Sequence, residues 1–317
     1  MTKDYVVGID IGGQSVKMGV IDRRANFLAR DKFDMTVYGK DDTERFLDDL
    51  CSHISGLTAK VGLESVQGVG IGAPDGNYYD GTIVDAVNLP WAKGKVVRLR
   101  DHISAKLGLN VAVTNDANAA AIGEMTYGNA IGMKNFIEIT LGTGVGSGIV
   151  VDGHLVYGHD GFAGELGHTT AVRHNGRRCG CGKSGCLETY ASSGGVCQTA
   201  REMLDTTDEP SLLRELREIT SKDVYEAAVR GDALATRVFE YTGKILGEKF
   251  ADFIAFSAPE AIILFGGVSN AGDILLDPVR KSMEENVVHL WKGKVKVLRS
   301  GLPESDAAIL GAGALAW

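Results

Sequence analysis

Apolar positions fall along this chain in two kinds of run, short ones broken by glycine and long ones with a helical period. Three short runs come first: Tyr5 to Ile9, Val16 to Ile21 and Phe27 to Phe33, separated by Gly12-Gly13 and by Asp22-Arg23-Arg24-Ala25-Asn26. They predict a three-stranded antiparallel meander. From Thr43 to Val61, the residues Phe46, Leu47, Leu50, Ile54, Leu57 and Val61 recur every three or four positions and draw one apolar stripe along a helix. Val66 to Ile71 returns to strand, a helix over Val97 to Leu107 stops at Gly108, and Val111 to Thr114 reads as a buried strand.

After Asn115 the pattern begins again. Phe136 to Leu141 predicts a strand and residues 142–146 a glycine turn; Ser147 to Val151 then meets Leu155-Val156-Tyr157 through the hairpin dipeptide Asp152-Gly153. Further on the chain is mostly helical, with a long amphipathic segment from Asp232 to Phe256 and a strand, Ala261 to Phe265, ahead of Gly266-Gly267. Two openings of strand, glycine turn, strand predict two related α/β lobes rather than one large sheet. The boundary is expected near Val111 to Asn115, giving lobes 1–113 and 114–305, with a helix over 306–317 packing back on the first.

Composition narrows the function. With 317 residues and 44% hydrophobic content the chain supports sizeable cores, and 33 Lys+Arg against 41 Asp+Glu gives a net charge of −8. No broadly basic face is available for nucleic acid or a membrane surface. No apolar run is long enough to cross a bilayer, and the chain moves from Met1 into a strand without a signal segment, so a cytoplasmic location is expected. Glycine, at 42 residues against 6 prolines, is roughly twice its usual share. That excess suits tight turns and phosphate loops rather than linkers.

Two glycine turns occupy matching places: Asp10-Ile11-Gly12-Gly13-Gln14-Ser15, and Leu141-Gly142-Thr143-Gly144-Val145-Gly146-Ser147-Gly148. Without Cβ atoms, successive N–H groups can converge on an oxyanion, and Thr143 adds a hydroxyl donor. Neither turn fits the Gly-Lys-Ser/Thr phosphate loop or the dinucleotide fingerprint, and either alone is equally an ordinary hairpin turn. As a pair they predict a phosphate clamp, with Asp10 anchoring Mg²⁺ through water. Gly266-Gly267 would let an adenine or ribose approach the backbone, though a plain strand-to-helix turn explains it equally well.

Asn115-Asp116-Ala117-Asn118 joins a strand to the helix-forming Ala119-Ala120-Ala121. An acidic residue there either caps the helix or, in a crevice between two lobes, takes the proton of a hydroxyl attacking a phosphoryl group. Asn115 and Asn118 would bind neighbouring hydroxyls of a sugar. His168, Cys179, Cys181 and Cys186 form H-x10-C-x-C-x4-C. One imidazole and three thiolates make a closed tetrahedral set for structural Zn²⁺. The total of five cysteines is odd, and reduced thiols rather than a disulfide framework are expected. Arg173, His174, Arg177, Arg178 and Lys183 near this loop are expected to be solvated, since no stacking aromatics accompany them. Glu165 and Glu188 flank the metal loop, which would hold them rigidly enough to bind sugar hydroxyls. The glycine turns are distant in sequence, so loss of metal is expected to affect the hydroxyl-binding side more than the phosphate-binding turns.

In this order and spacing, Asp10-Ile11-Gly12-Gly13, Asn115-Asp116-Ala117-Asn118, the turn from Leu141 to Gly148, Ala163-Gly164-Glu165-Leu166-Gly167-His168, and the run from Cys179 to Glu188 resemble the ROK family (repressors, open reading frames and sugar kinases) over essentially the whole chain. The resemblance implies an actin-like ATPase fold of two ribonuclease-H-like lobes with an interlobe cleft, ATP and Mg²⁺, and phosphorylation of a hexose at its 6-hydroxyl. Asp116 would be the general base. Asn88, Asn115, Glu165, His168 and Glu188 would surround the sugar, and Asn88-Leu89-Pro90-Trp91 and Gly72-Ala73-Pro74 match further sugar-side loops. Asp10, Gly12, Gly13, Gln14, Gly142, Thr143, Gly144, Gly266 and Gly267 would lie on the nucleotide side.

The Glu165 to His168 turn with Glu188 looks like the family's glucose-type arrangement, with N-acetylmannosamine, fructose and allose as alternative acceptors. A homodimer is the family expectation. The family's repressors carry a helix-turn-helix ahead of the first phosphate loop, and nine residues before Asp10 leave no room for one. A non-catalytic sugar sensor would be expected to lack the base or the phosphate loops. Two departures stand out: Gln14 replaces the usual Thr or Ser, and Asp75 is inserted where many relatives run Pro-Gly.

Overall fold

A computed structural model describes residues 3–303 and 306–317. The chain forms two compact units, the first comprising residues 1–132, 155–163 and 301–317, the second residues 133–154 and 164–300.

In the first unit β1 (Tyr5–Ile11), β2 (Ser15–Asp22) and β3 (Phe27–Asp34) form the antiparallel meander that the alternation predicts. On the other side of β1, β4 (Val66–Gly72) adds in parallel. A two-residue pair, β5 (Ile83–Val84) and β6 (Val96–Val97), stands apart from the main sheet, and β7 (Val111–Thr114) completes the order β3-β2-β1-β4-β7. The edge strand β3 is nowhere fully buried, whereas β1 and β4 are buried along most of their length, as befits inner parallel strands.

Helix α1 (Thr43–Thr58) buries Phe46, Leu47, Leu50, Ile54 and Leu57, and ends three residues short of Val61. Helix α2 (Leu99–Leu107) begins later than its apolar pattern suggests because Val97 belongs to β6. Gly108 ends it in the left-handed region at φ 67°. Helix α3 (Asp116–Tyr127) follows β7 directly.

The second unit repeats the plan. Strands β8 (Phe136–Leu141) and β9 (Val145–Val151) pair antiparallel across the glycine turn, while the expected third strand shrinks to the two residues of β10 (His154–Leu155). Its helices are α4 (Glu188–Ala191), α5 (Ser193–Thr206), α6 (Ser221–Val229), α7 (Ala233–Ser257) and α8 (Asp273–Asn286). Asp232 caps α7 by accepting from the Ala235 N–H. Strands β11 (Ala261–Phe265) and β12 (Lys296–Arg299) add in parallel, and the order is β10-β9-β8-β11-β12. In each unit a central strand has its hairpin partner on one side and two parallel strands on the other.

Helix α9 (Ala307–Ala314) belongs to the first unit. A side chain at Gly8 would strike the Ile309 carbonyl and one at Gly70 the Ala312 carbonyl, so both glycines are required for α9 to lie against β1 and β4. Gly311 in turn abuts the Ala119 carbonyl of α3. This packing corrects the expected division at 113/114: α3 stays with the first unit, and the break falls between Gly132 and Met133. Residues 155–163 also return to it. The Asn77 side-chain amide donates to the Asp160 carbonyl at 2.6 Å, and Tyr78 stacks on Tyr157 at 3.9 Å between ring centres. The expected end of the second lobe at residue 305 lies outside the described residues.

Candidate functional site

In the first unit the strand register assembles the chemistry. Asp10 pairs opposite Gly72, and Gly72 opposite Thr114, so Asp10, the loop after β4 and Asn115-Asp116 all emerge at the carboxyl ends of three neighbouring parallel strands. Asn115, not Asp116, is the N-cap of α3: its side chain accepts from the Ala117 N–H at 2.9 Å. Asp116 is the first helical residue, and its Oδ1 meets the same N–H at 2.8 Å. Its side chain reaches solvent, yet the surrounding protein withdraws enough water for desolvation to raise the carboxyl above its ordinary range.

Asp10 is pushed up to about 6, first by burial and then by the charge of Asp116, with Lys17 opposing. Burial, and then Asp116 and Asp85, likewise raise Asp75. The charge of Asp116 therefore reaches both Asp10 and Asp75 and makes each more basic. Asn118 departs from expectation. It is 2% exposed within α3, so it does not present its amide to a sugar.

The first glycine turn closes through the Gly12 N–H and the Ser15 carbonyl at 3.1 Å, and Gly13 and Gln14 are exposed at its tip. The Gln14 carbonyl accepts from the Met35 N–H at 3.0 Å, which fixes its backbone and leaves the side chain outside. Asn88 is also exposed, and its carbonyl adjoins Gly13. Trp91 anchors that loop: it is fully buried, stacks on Phe46 at 3.9 Å and donates its indole N–H to the Met35 sulfur at 3.1 Å. Asp75 adopts φ 53°, the left-handed geometry that glycine favours. The departure from Pro-Gly is thus accommodated in the backbone and adds a charge near Asp116.

In the second unit the Cys loop closes on itself. The Cys179 sulfur lies 3.7 Å from His168 Nδ1, the Cys181 and Cys186 sulfurs are 3.7 Å apart, and all four ligand atoms lie within 4.8 Å of one another. A tetrahedron with metal–sulfur bonds of ~2.3 Å has edges of ~3.8 Å, so the donor set fits zinc. A disulfide would need about 2.05 Å. The other imidazole nitrogen, Nε2, lies 3.9 Å from the Glu165 carboxylate, which is itself exposed.

Arg173, His174, Arg178 and Lys183 are exposed as expected, but Arg177 is not. Its side chain is 7% exposed and bonds the Thr189 and Gly195 carbonyls, Thr199 and Glu202 while lying over the Tyr190 ring.

Glu188 is placed differently from a simple sugar ligand. One carboxylate oxygen accepts from the Val145 N–H at 3.0 Å, and the other lies 3.7 Å from the Cys179 sulfur. The Ser193 N–H donates to the Gly142 carbonyl at 2.8 Å, and within the turn the Gly142 N–H reaches the Gly144 carbonyl at 3.0 Å. The second glycine turn is therefore tied to the metal loop, contrary to the separation in sequence. Thr143 is exposed at its tip. Gly266, at φ 95°, lies against Leu141 where β11 pairs with β8, while Gly267 opens the next 3-10 turn.

Three contributors escape a motif reading: Lys17, Arg177 and Ser193. Counting the first hairpin would have placed Lys17 opposite Asp10. No local signal marks the other two, since both act through backbone groups brought near by folding.

A family model described as the ROK family matches residues 6–317. A glucokinase of Halalkalibacterium halodurans is 38% identical over 90% of this chain and 86% of its own length. One of Streptomyces coelicolor is 36% identical over 98% and 96% respectively. Among solved structures, a ROK family glucokinase from Streptomyces griseus in complex with glucose and AMPPNP is 34% identical, with a TM-score of 0.79 over 98% of both chains.

Proposed function

Since the chain belongs to the ROK family, we propose that it is an ATP-dependent hexose kinase that transfers the γ-phosphate to the 6-hydroxyl of glucose, on the actin-like ATPase fold of its relatives. The observation that carries the reading is Asp116, a solvent-reaching carboxylate of raised basicity at the end of β7, beside a helix cap that Asn115 supplies in its stead. As the 6-oxygen bonds to the γ-phosphorus, its proton passes to Asp116 and the bond to the β–γ bridging oxygen breaks, releasing ADP. A raised pKa favours that proton transfer, provided the group is ionised at the working pH.

Asn88, Asn115, Glu165, His168 and Glu188 orient the sugar in this reading. Gly12, Gly13 and Gln14, with Gly142, Thr143 and Gly144, hold phosphate oxygens, and Gly266 and Gly267 admit the adenosine. Mg²⁺, held through water by Asp10, would neutralise charge on the β- and γ-phosphates. Zn²⁺ on His168, Cys179, Cys181 and Cys186 would be structural, since four protein ligands leave no open position. The family resemblance supports a homodimer. Among the described residues no helix is long and apolar enough to cross a membrane, and a cytoplasmic location is proposed.

The test is a panel of hexoses with ATP, followed by coupled ADP release. Glucose should give the highest kcat/KM. Release no faster than with ATP alone, for every hexose, would reject the reading.

A further inference from the structure

The second glycine turn is gripped at both ends by one elbow of chain, where α4 meets α5. Glu188, the first residue of α4, takes the Val145 N–H, and Ser193, the first of α5, donates its N–H to Gly142. A side chain at Gly144 would meet the Glu188 carboxylate, so the turn lies close against it. With the Gly142 N–H turned to the Gly144 carbonyl and the Val145 N–H committed, Thr143 and Gly144 supply the turn's remaining backbone donors for an anion.

The elbow is fixed in turn to the Cys loop. The Leu187 N–H donates to the Thr169 carbonyl at 3.0 Å, and Arg177, two residues before Cys179, reaches the Thr189 carbonyl at 2.7 Å and the Gly195 carbonyl at 3.1 Å.

We propose that this elbow makes the Cys loop a support for nucleotide binding: Glu188 and the Ser193 amide are positioning groups that set the phosphate-facing shape of residues 142–145. The proposal rests on the phosphoryl-transfer reading above. A four-residue turn with two glycines has wide conformational freedom, and fixing it before the ligand arrives removes that ordering cost from binding.

Ser193→Pro isolates the effect. Proline is well accommodated at the first position of a helix, and Ser192 before it is extended, at φ −71° and ψ 167°, as a residue preceding proline should be. The substitution removes the one N–H and touches neither sugar-side nor metal residues. The measurement is calorimetric titration of the full chain with AMPPNP in the absence of sugar, then separately with glucose.

In Ser193→Pro the AMPPNP Kd should rise about tenfold, the scale of losing a hydrogen bond that orders the turn, with glucose binding unchanged. Glu188→Ala should also weaken AMPPNP binding, and Glu188→Gln, which keeps a neutral acceptor, should fall between it and the parent. AMPPNP binding at parental strength in folded Ser193→Pro and Glu188→Ala would overturn the proposal, and Glu188→Ala decides alone if the proline variant does not fold. A parent chain that binds no AMPPNP would instead bring down the kinase reading, and this proposal with it.

Discussion

The two glycine turns have the same local form, a strand, a glycine-rich bend and an antiparallel return, yet they are held in opposite ways. The first is held by its own meander: its closing hydrogen bond runs from Gly12 to Ser15, the Gln14 carbonyl takes the Met35 N–H just beyond β3, and the hairpin register sets Asp10 against Lys17. The second is held from outside, by Glu188 and by the Ser193 amide. Its shape therefore depends on the Cys loop and a helix start far along the chain. A motif can specify that a turn exists without specifying what makes it rigid, and rigidity decides how much binding free energy survives the ordering cost.

The largest expected effect is at the base of the proposed reaction. Asp116→Asn keeps the shape and the hydrogen bond to Ala117 but cannot take a proton, so kcat should fall about 10²–10⁴-fold with sugar KM little changed. Turnover near the parent's would remove Asp116 from the role.

A smaller effect probes the first turn. If the Gln14 amide donates to a phosphate, Gln14→Leu should weaken ATP use by about 1.5–3 kcal/mol and Gln14→Thr should preserve it. Equal ATP KM for Gln14→Leu and the parent would place that amide away from the nucleotide.

Removing metal, or Cys181→Ser, tests the second turn. AMPPNP binding should weaken about tenfold alongside sugar binding, while metal analysis of the parent finds about one zinc per chain. Fully active protein without bound metal would sever the link.

The last effect is on stability, and leaves turnover aside. Asp10 rises from an ordinary 3.8 to about 6 in the fold, so between those values the unfolded chain releases its proton first and stability falls as pH rises. Above about pH 6 the penalty is complete, at most ~3 kcal/mol. Asp10→Asn should flatten that decline and raise the ligand-free Tm at pH 7 by a few degrees. A steeper fall in the variant would contradict the burial of this carboxylate.

The sheet strands, the long helix α7 and the clustering of His168 with the three cysteines were legible because periodicity and ligand spacing are local properties. That Asp10 and Asp116 lie at strand ends could be read for the same reason. The lobe boundary was not, because the alanine and glycine positions that bind α3 to α9 look like ordinary helix sequence. Arg177 read as a solvated cation since its carbonyl partners are contributed by folding, not by neighbours in sequence. Glu188 stood correctly beside the metal loop, but its bond to Val145 depends on tertiary placement. Asn118 misled because helix periodicity, which turns it inward, was not applied to so short a motif.

The seating of α9 against Gly8 and Gly70 also imposes an order on biosynthesis. Residues 301–317 leave the ribosome only after the whole of the second unit has been made, whereas β1 and β4 emerge long before it. At ~5–20 residues per second this interval is roughly ten to sixty seconds, and at its end the second unit has all of its own chain while the first still lacks the helix that shields two of its inner strands. The nascent protein therefore passes through a stage in which its earliest strands are its least protected, and a chaperone that caps apolar sheet would find its target there.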